Sequence, residues 1–524
     1  MGALSEPGAP PARRRAIVFI GFMGAGKSTA VRDAAAALGV APRDSDAILE
    51  ERLGHSVATE FERAGEAAFR AREEELVLAL LDESRPGDVL ALGGGSVLSE
   101  RVRAALADHV TVLLDVDAPT AWDRVARSRD GAPRPLARDA ESFAALWRER
   151  APLYEGLADA IVPAHSREAI ARALPSVREL ALVPGVRLLW ASASSADYPV
   201  YVASGLLDTP LWPLPRERSR GFGVTDEAVA ERHGARLAWA AHTVTIAGGE
   251  RAKTLATAEL VWRALAGEGM TRADHVVALG GGVVGDLAGF CAATYQRGVP
   301  VVQVPTTLVA QVDSAYGGKT GVDLPGAKNY VGAYHQPAGV MVDPSLLATL
   351  PPAELAAGYA EVLKTALIAG GDLWERVASD EPLDERMIID CARTKLAVVA
   401  RDERDAQARQ LLNLGHTIGH AIEAATGYAR YRHGEAVALG LLAALRLSGQ
   451  DALRELAAEL LTAHGLPTRL EGVRAEDVLE ATRRDKKRTS EHVPYVVVEA
   501  PGRVRTGAVI PPAEQRAAIA ELLR

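Results

Sequence analysis

The sequence predicts an α/β protein in three parts: a P-loop domain on a parallel sheet, a Rossmann-like dinucleotide-binding α/β domain, and an α-helical metal-binding domain. Three stretches carry that reading. An apolar run at residues 16–20 enters G-F-M-G-A-G-K-S at 21–28. At 275–290, H-V-V-A-L-G-G-G-V-V-G-D-L-A-G-F, a β-type run with Val276, Val277 and Leu279 meets three glycines and leaves into an amphipathic segment, with Asp286 expected in its first turn. Beyond Pro351 the pattern becomes helical to about residue 485, and it carries Glu361, His416, His420 and His433.

A chain of 524 residues is long enough for two to four domains with sizeable cores. Hydrophobic content of 48%, charged content of 24% and 48 glycines fit a soluble, glycine-rich α/β protein. The net charge of −9 supplies no global basic field, so nucleic acid is not an expected partner. Two cysteines, Cys291 and Cys391, are too few for a disulfide framework or a thiolate zinc site and fit a reducing cytoplasm. No apolar run approaches the roughly 18 residues that span a membrane. Residues 1–14 lack the apolar core of a signal peptide and are expected to be a disordered tail.

The first glycine loop reads G-x-x-x-x-G-K-S between a strand and a helix, the setting in which the pattern has physical meaning. Backbone N–H groups of such a loop cradle phosphates, Lys27 reaches the transferring end, and the Ser28 hydroxyl can hold Mg²⁺. ATP or GTP is the expected ligand. Asp44 and Asp46 stand two apart in a segment expected to be extended, so one faces Mg²⁺ and the other an acceptor hydroxyl. G-E-A-A-F-R at 65–70, L-G-G-G at 92–95, P-R-P-L at 133–136 and R-A-P-L-Y at 150–154 follow in order.

This series closely resembles shikimate kinase over residues 15–181. The resemblance implies ATP-dependent transfer to the 3-hydroxyl of shikimate. ATP would lie on Gly24, Ala25, Gly26, Lys27, Ser28 and Thr29, with Arg134 closing over the phosphates on a lid. Ser28 and Asp44 would serve Mg²⁺, and Asp46 would bind the acceptor hydroxyl as base. Arg70 and Arg150 would clamp the substrate carboxylate, with Gly94 and Gly95 admitting the ring. Ala137 departs from the family's second leucine after R-P-L.

A closing helix is expected to about residue 180, a linker at 182–190, and a new α/β domain at 191–346 before the helical part, 347–524. Gly280, Gly282 and Gly285 satisfy G-x-G-x-x-G, yet no acidic residue stands about 20 positions on, where an ordinary NAD dehydrogenase holds the ribose. Upstream Asp226, Glu250 and Lys253 are expected to take that end. His416 and His420, four apart, share one helical face. With His433 and Glu361 they read as an all-N/O metal site suited to Zn²⁺ or Co²⁺.

These motifs strongly resemble 3-dehydroquinate synthase from about residue 198 onward. The resemblance makes Glu361, His416 and His433 the three ligands and gives His420 to the substrate. It implies NAD⁺ contacts at Asp226, Glu250, Lys253, Gly281, Gly282, Val283, Asp286, Thr306, Thr307, Lys328 and Thr349. Heptulosonate phosphate would meet Asp313, Lys319, Asn329, Lys364, Lys395, Arg409, Asn413, His420 and a lysine of the pair Lys486 and Lys487. Lys319, Lys364 and His420 are the implied catalytic groups of this half, beside Lys27, Asp46 and Arg134 of the first. Arg297 would reach the site from a neighbouring subunit, which implies a homodimer. The implied chemistry is cyclisation of 3-deoxy-D-arabino-heptulosonate 7-phosphate with loss of phosphate, NAD⁺ being used and regenerated. Tyr316, Gln296, Asp405 and Asp323 depart from the usual pattern, and Tyr316 is expected to narrow the pocket.

Three other readings compete. Cyclases of neutral sugar phosphates share the second fold but should lack the carboxylate-holding set of Lys395, Arg409, Asn413 and His420. Metal-dependent polyol dehydrogenases would accumulate NADH. A silent half kept for binding or stability would have lost Lys27, Asp46, Glu361 or a ligand histidine, and all are present.

Overall fold

The computed structural model describes residues 16–127, 139–164, 167–325, 327–486 and 493–523. The expected tail, Arg134 and Lys487 lie outside the described residues, as does the side chain of Lys486. The chain forms two compact units: 1–192 with 199–201, and 193–198 with 202–524.

The first unit holds β1 (Ile17–Ile20), β2 (Pro42–Asp44), β3 (Val89–Ala91), β4 (Val110–Asp115), β5 (Ala160–Pro163) and β6 (Arg187–Ser192). They pair in parallel in the order β2-β3-β1-β4-β5-β6. Every residue of β1 is buried, as a strand covered on both faces requires. Strand order reverses beside β1, so a crevice opens at its carboxyl end, and the phosphate loop fills that position. Residues 187–190, expected as linker, belong to β6. The Pro184–Gly185 turn marks only the entry to an apolar strand that buries five of its six residues.

The chain continues through β7 (Asp197–Val202) into β8 (Gly221–Asp226), β9 (His242–Ile246), β10 (His275–Gly280), β11 (Val301–Pro305) and β14 (Gly339–Val342). In the second unit β14-β11-β10-β8-β9 run in parallel. Between β11 and β14 lies an antiparallel hairpin, β12 (Lys319–Leu324) and β13 (Ala327–Tyr334). The helix Gly282–Thr294 packs Val284, Leu287, Ala288 and Cys291 into the sheet core. Asp286 therefore falls one residue past the first turn. Helices follow from Pro352 to Lys486, within the same unit, and a second hairpin, β15 (Pro494–Ala500) and β16 (Arg503–Val509), comes after them.

What positions the site is how closely three helices approach, Pro352–Ala369, His416–Ala425 and His433–Leu447. A Cβ on Gly440 would collide with the Gly415 carbonyl and stand 2.8 Å from the Gly419 nitrogen, and one on Gly434 would collide with the Ala357 carbonyl. Backbone meets backbone at both places, which leaves Glu361, His416 and His433 facing one another. Gly440→Ala overpacks this contact and is expected to destabilise the protein by about 1–3 kcal/mol. A lowered thermal midpoint would report it, and an unchanged one would show that the contact has slack.

Candidate active sites

In the first unit the phosphate loop turns Lys27 back on itself, with Nζ donating to the carbonyls of Gly21 at 2.8 Å and Phe22 at 3.2 Å. Gly24, Ala25 and Gly26 precede Lys27, Ser28 and Thr29 at the helix N-terminus, where free N–H groups favour anions. Asp44 and Asp46 do not form the extended pair that their spacing predicts. Asp44 ends β2 and caps the helix Ser45–Leu53, its Oδ1 accepting from Asp46 N at 3.1 Å and Ala47 N at 3.4 Å, and Asp46 lies in that helix's first turn. An aspartate at the end of a strand is a preferred helix cap, and that preference outweighs the alternation of a strand.

Asp46 is raised to about 6, because desolvation of its carboxyl by the surrounding protein penalises the charge by more than Lys27 relieves it, and Glu73, Asp44 and Glu50 push the same way. Its Oδ1 and Glu73 Oε1 each stand 2.5 Å from where a Cβ on Gly93 would be, so both carboxylates lean on the glycine turn. Arg70 lies over Gly95 and donates to Glu73 Oε2 at 2.5 Å, and Glu73 Oε1 accepts from Ser96 Oγ at 2.8 Å. Arg150 is buried, and among the described residues the Nε atoms of Arg70 and Arg150 make no hydrogen bond, Arg70 Nε lying 3.6 Å from Glu66 Oε1. The Tyr154 hydroxyl donates to the Gly94 carbonyl, and burial pushes it up to about 12. Glu73 and Tyr154 were not singled out from sequence. Glu73 is three residues from Arg70 on one helix, a spacing that could have marked it.

In the second unit the turn after β10 places Gly281 as the cap of Gly282–Thr294, with Val283 in the first turn. Thr306 N donates to the Gly280 carbonyl at 3.0 Å, and a Cβ on Gly281 would stand 2.8 Å from Thr307. Lys253 Nζ lies 2.5 Å from Asp286 Oδ2 and 3.8 Å from Glu250, and Lys328 Nζ lies 3.4 Å from Glu250. Burial raises Asp286 although Lys253 opposes it. Among the described residues the buried Thr306 hydroxyl has no hydrogen-bond partner, which fits a polar ligand entering the turn. Asp226 is spent differently, capping the helix Glu227–His233 through Val229 N at 3.0 Å. Thr349 is bound to His233 at 2.9 Å and to the Leu346 carbonyl at 2.9 Å.

The three histidines converge, with ligand atoms of His416, His420 and His433 within 4.8 Å of one another. Glu361 Oε1 stands 3.4 Å from His416 Nε2 and 3.5 Å from His433 Nε2. His416 Nδ1 faces the Leu414 carbonyl at 3.1 Å, and His433 Nδ1 faces Glu423 Oε2 at 3.3 Å. Both rings thereby turn Nε2 to Glu361, so this donor set fits a divalent cation. His420 is lowered to about 3 by burial and by the two neighbouring imidazoles. Glu423 was missed from sequence, although 416, 420 and 423 share a helix face. Its other oxygen accepts from Lys328 Nζ at 3.1 Å, which joins the metal cluster to the glycine-turn cluster.

Beside this cluster, Lys364 Nζ lies 2.5 Å from Glu361 Oε2 and 2.7 Å from Asp313 Oδ2. Lys395 Nζ donates to the Asp313 carboxylate and to its carbonyl at 2.7 Å. Lys319 pairs with Asp405 at 2.5 Å, Arg409 is buried, and Asn413 ends the short helical turn Ala408–Asn413. Asn329 N donates to Asp323 Oδ1 at 2.6 Å, which fixes the hairpin turn. Tyr316 does not narrow the pocket with its polar end, because the buried hydroxyl donates to the Gln311 carbonyl at 2.5 Å.

The two sites define a P-loop phosphotransferase followed by an α/β enzyme whose carboxylate–imidazole cluster adjoins a glycine turn. Family models match accordingly: shikimate kinase over 23–179, 3-dehydroquinate synthase N-terminal over 243–357, and 3-dehydroquinate synthase C-terminal over 358–488. The 3-dehydroquinate synthase of Halorhodospira halophila is 44% identical over 347 residues, 63% of this chain and 98% of that protein. That of Symbiobacterium thermophilum is 45% identical over 333 residues, 59% of this chain and 92% of that one. Among solved structures, a 2-epi-5-epi-valiolone synthase from Streptomyces hygroscopicus with NAD⁺ and Zn²⁺ bound superposes with a TM-score of 0.58 at 26% identity, covering 63% of this chain and 98% of that one. A 2-deoxy-scyllo-inosose synthase shares the fold, with a TM-score of 0.57 at 23% identity over 64% of this chain and 99% of that one. The chain belongs to the 3-dehydroquinate synthase family, carrying a shikimate kinase domain ahead of the synthase, and is a bifunctional enzyme of the shikimate pathway.

Because Glu423 orients His433, Glu423→Ala is expected to weaken metal binding about 10–100-fold. Competition with a chelator measures it, and an unchanged affinity would remove Glu423 from the site.

Proposed function

We propose that the first half transfers the γ-phosphoryl group of ATP to shikimate, with Asp46 as base. The observation that carries this is the Asp46 carboxyl, set beside Lys27 and against the Gly93 turn and held at about 6. Lys27 and Ser28 meet the phosphates. Asp44 uses Oδ1 for its cap and keeps Oδ2 for the water shell of Mg²⁺. Arg70 and Arg150 hold the substrate carboxylate, Gly94 and Gly95 line the ring, and Arg134, outside the described residues, is assigned to the phosphates.

The second half converts 3-deoxy-D-arabino-heptulosonate 7-phosphate to 3-dehydroquinate, with release of phosphate. The carrying observation is Glu361 set between two imidazoles whose Nδ1 atoms are already engaged. Glu361, His416 and His433 would hold Zn²⁺ or Co²⁺, which would supply polarisation of substrate hydroxyls, and the glycine turn would hold NAD⁺, which would supply reversible hydride transfer. Asp286, Lys253, Glu250, Thr306 and Thr307 hold the dinucleotide, with Gly281, Gly282, Val283, Asp226, Lys328 and Thr349 around it. Lys364, Lys395, Arg409, Asn413 and Asn329 hold the anionic substrate, joined by Lys486 or Lys487. Asp313 fixes both buried lysines, and Lys319 and His420 move protons beside the ring.

Arg297 is exposed, and among the described residues no side chain of its own unit pairs with it. Gln296 and Arg297 take φ of 46° and 70°, and Arg272 donates to the Gln296 carbonyl at 3.0 and 2.6 Å. A residue held outward in this way suits a homodimer in which Arg297 completes the partner's site. The functional parts are 15–181 for the kinase, with 191–346 and 347–524 for the synthase. A cytoplasmic setting is read from Cys291 and Cys391, both buried and unpaired.

A base must be ionised to accept a proton, so kinase kcat/KM should fall as pH drops through about 6 and level off above ~7. Shikimate-dependent ADP formation by the full-length chain measures this, and Asp46→Asn should abolish it. Turnover that persists in that variant would remove Asp46 as base. Phosphate release from the heptulosonate, with no net NADH, tests the second half. Release from sedoheptulose 7-phosphate alone would make it a neutral-sugar cyclase.

A further inference from the structure

The synthase half contains a polar cluster around the buried Glu403 that none of these roles uses. It is built on Glu403 and the turn at 194–198. The hydroxyls of Ser194 and Ser195 both donate to the Glu403 carboxylate, Ser195 N donates to it at 2.9 Å, and Gln336 Nε2 at 3.0 Å. Burial opposes the charge of Glu403, but these bonds outweigh burial and hold the carboxyl at about 2. It stays an acceptor at any working pH.

The main chain of the same residue faces Arg409. The Glu403 carbonyl accepts from Arg409 Nη1 at 2.7 Å, and the Gly317 carbonyl accepts from that nitrogen at 2.9 Å. Gly317 N donates to the Tyr198 hydroxyl at 3.2 Å. One turn, 194–198, thus fixes both carbonyls that hold Arg409, one through the Glu403 carboxylate and one through Tyr198. Asp402 steadies the backbone, accepting from Arg409 N at 3.1 Å. Both guanidinium bonds come from Nη1, so the opposite edge is left for an anion. A Cβ on Gly317 would stand 2.6 Å from Nη2, so little sideways freedom remains.

We infer that Glu403, anchored by Ser194 and Ser195, is a positioning residue that aims Arg409 at the substrate and so tunes the synthase for an acidic sugar phosphate. The inference rests on the assignment of Arg409 to substrate binding. A buried carboxylate with four donors costs more to build than an apolar contact of the same size, and here its return is the placement of one guanidinium.

The test uses the full-length chain in four forms: native, Glu403→Ala, Ser194→Ala with Ser195→Ala, and Arg409→Ala. Glu403→Ala should raise KM for the heptulosonate phosphate about tenfold, since small misplacements of a binding group are costly, while kcat changes less than about threefold. The double serine variant, which keeps the carboxylate, should move KM the same way by less and covers the case in which Glu403→Ala fails to fold. NAD⁺ affinity, metal affinity and shikimate kinase turnover should not change in either. A native KM in both variants would overturn the inference, as would a joint loss of kcat, NAD⁺ affinity and thermal midpoint. If Arg409→Ala itself leaves KM unchanged, the assignment of Arg409 fails instead. If it raises KM and the other variants do not, only the role of Glu403 is lost.

Discussion

The synthase half depends on one buried chain of alternating charge, Glu361, Lys364, Asp313 and Lys395. Glu361 and Lys364 are each 1% exposed, so neither charge is relieved by water. Breaking such a pair by removing one partner leaves an uncompensated buried charge and typically costs about 3–5 kcal/mol. The chain therefore acts as a unit: Lys364 neutralises two carboxylates, Asp313 holds two lysines, and Glu361 turns its other oxygen to the imidazoles. A hydrophobic cluster could pack the same space more cheaply. Its persistence makes sense where a cation and an anionic substrate arrive together.

That chain needs helices brought closer than ordinary side chains allow. Gly434 and Gly440 supply the approach, and the carbonyls of Ala357 and Gly415 occupy the space a methyl group would take. The Lys328–Glu423 contact then carries the metal cluster toward Glu250 and the glycine turn. Hydride chemistry and hydroxyl polarisation must act on neighbouring atoms of one substrate. A rigid link between their holders serves that need better than two independent pockets would.

Much of this was legible in the sequence, for identifiable reasons. Glycine turns announce themselves because few residues tolerate such close backbone approach, so both phosphate and dinucleotide loops stood out with their strands and helices. His416 and His420 were visible through helical spacing. Glu73, Glu423 and Glu403 were not, because each matters through partners that only the fold supplies: Ser96 23 residues away, His433 beyond the end of the helix that carries Glu423, and Ser194 209 residues away. Asp44 and Asp46 show the opposite failure. Their spacing suits a strand, but a side chain that caps a helix decided the local backbone. The strand β6 hid behind a proline–glycine turn that reads as a linker.

Burial alone does not say what a carboxylate will do, and the two halves show why. Desolvation is the largest influence on Asp46, Asp313 and Glu423, and in each it raises the affinity for a proton. Asp46 has one cation, Lys27, and three acidic neighbours that work against it, so it ends at about 6. Asp313 has Lys364 and Lys395, and Glu423 has His433 and Lys328, so both end below their ordinary values. For these three acids, the balance of nearby cations and anions against desolvation separates the group that can gain and lose a proton near neutral pH from the two that stay charged. In the reaction proposed for the kinase half, the first kind stands where a hydroxyl is to be deprotonated. The synthase half places the second kind, Asp313 and Glu423, beside lysines and an imidazole, and these two carboxylates organise their surroundings rather than titrate in them.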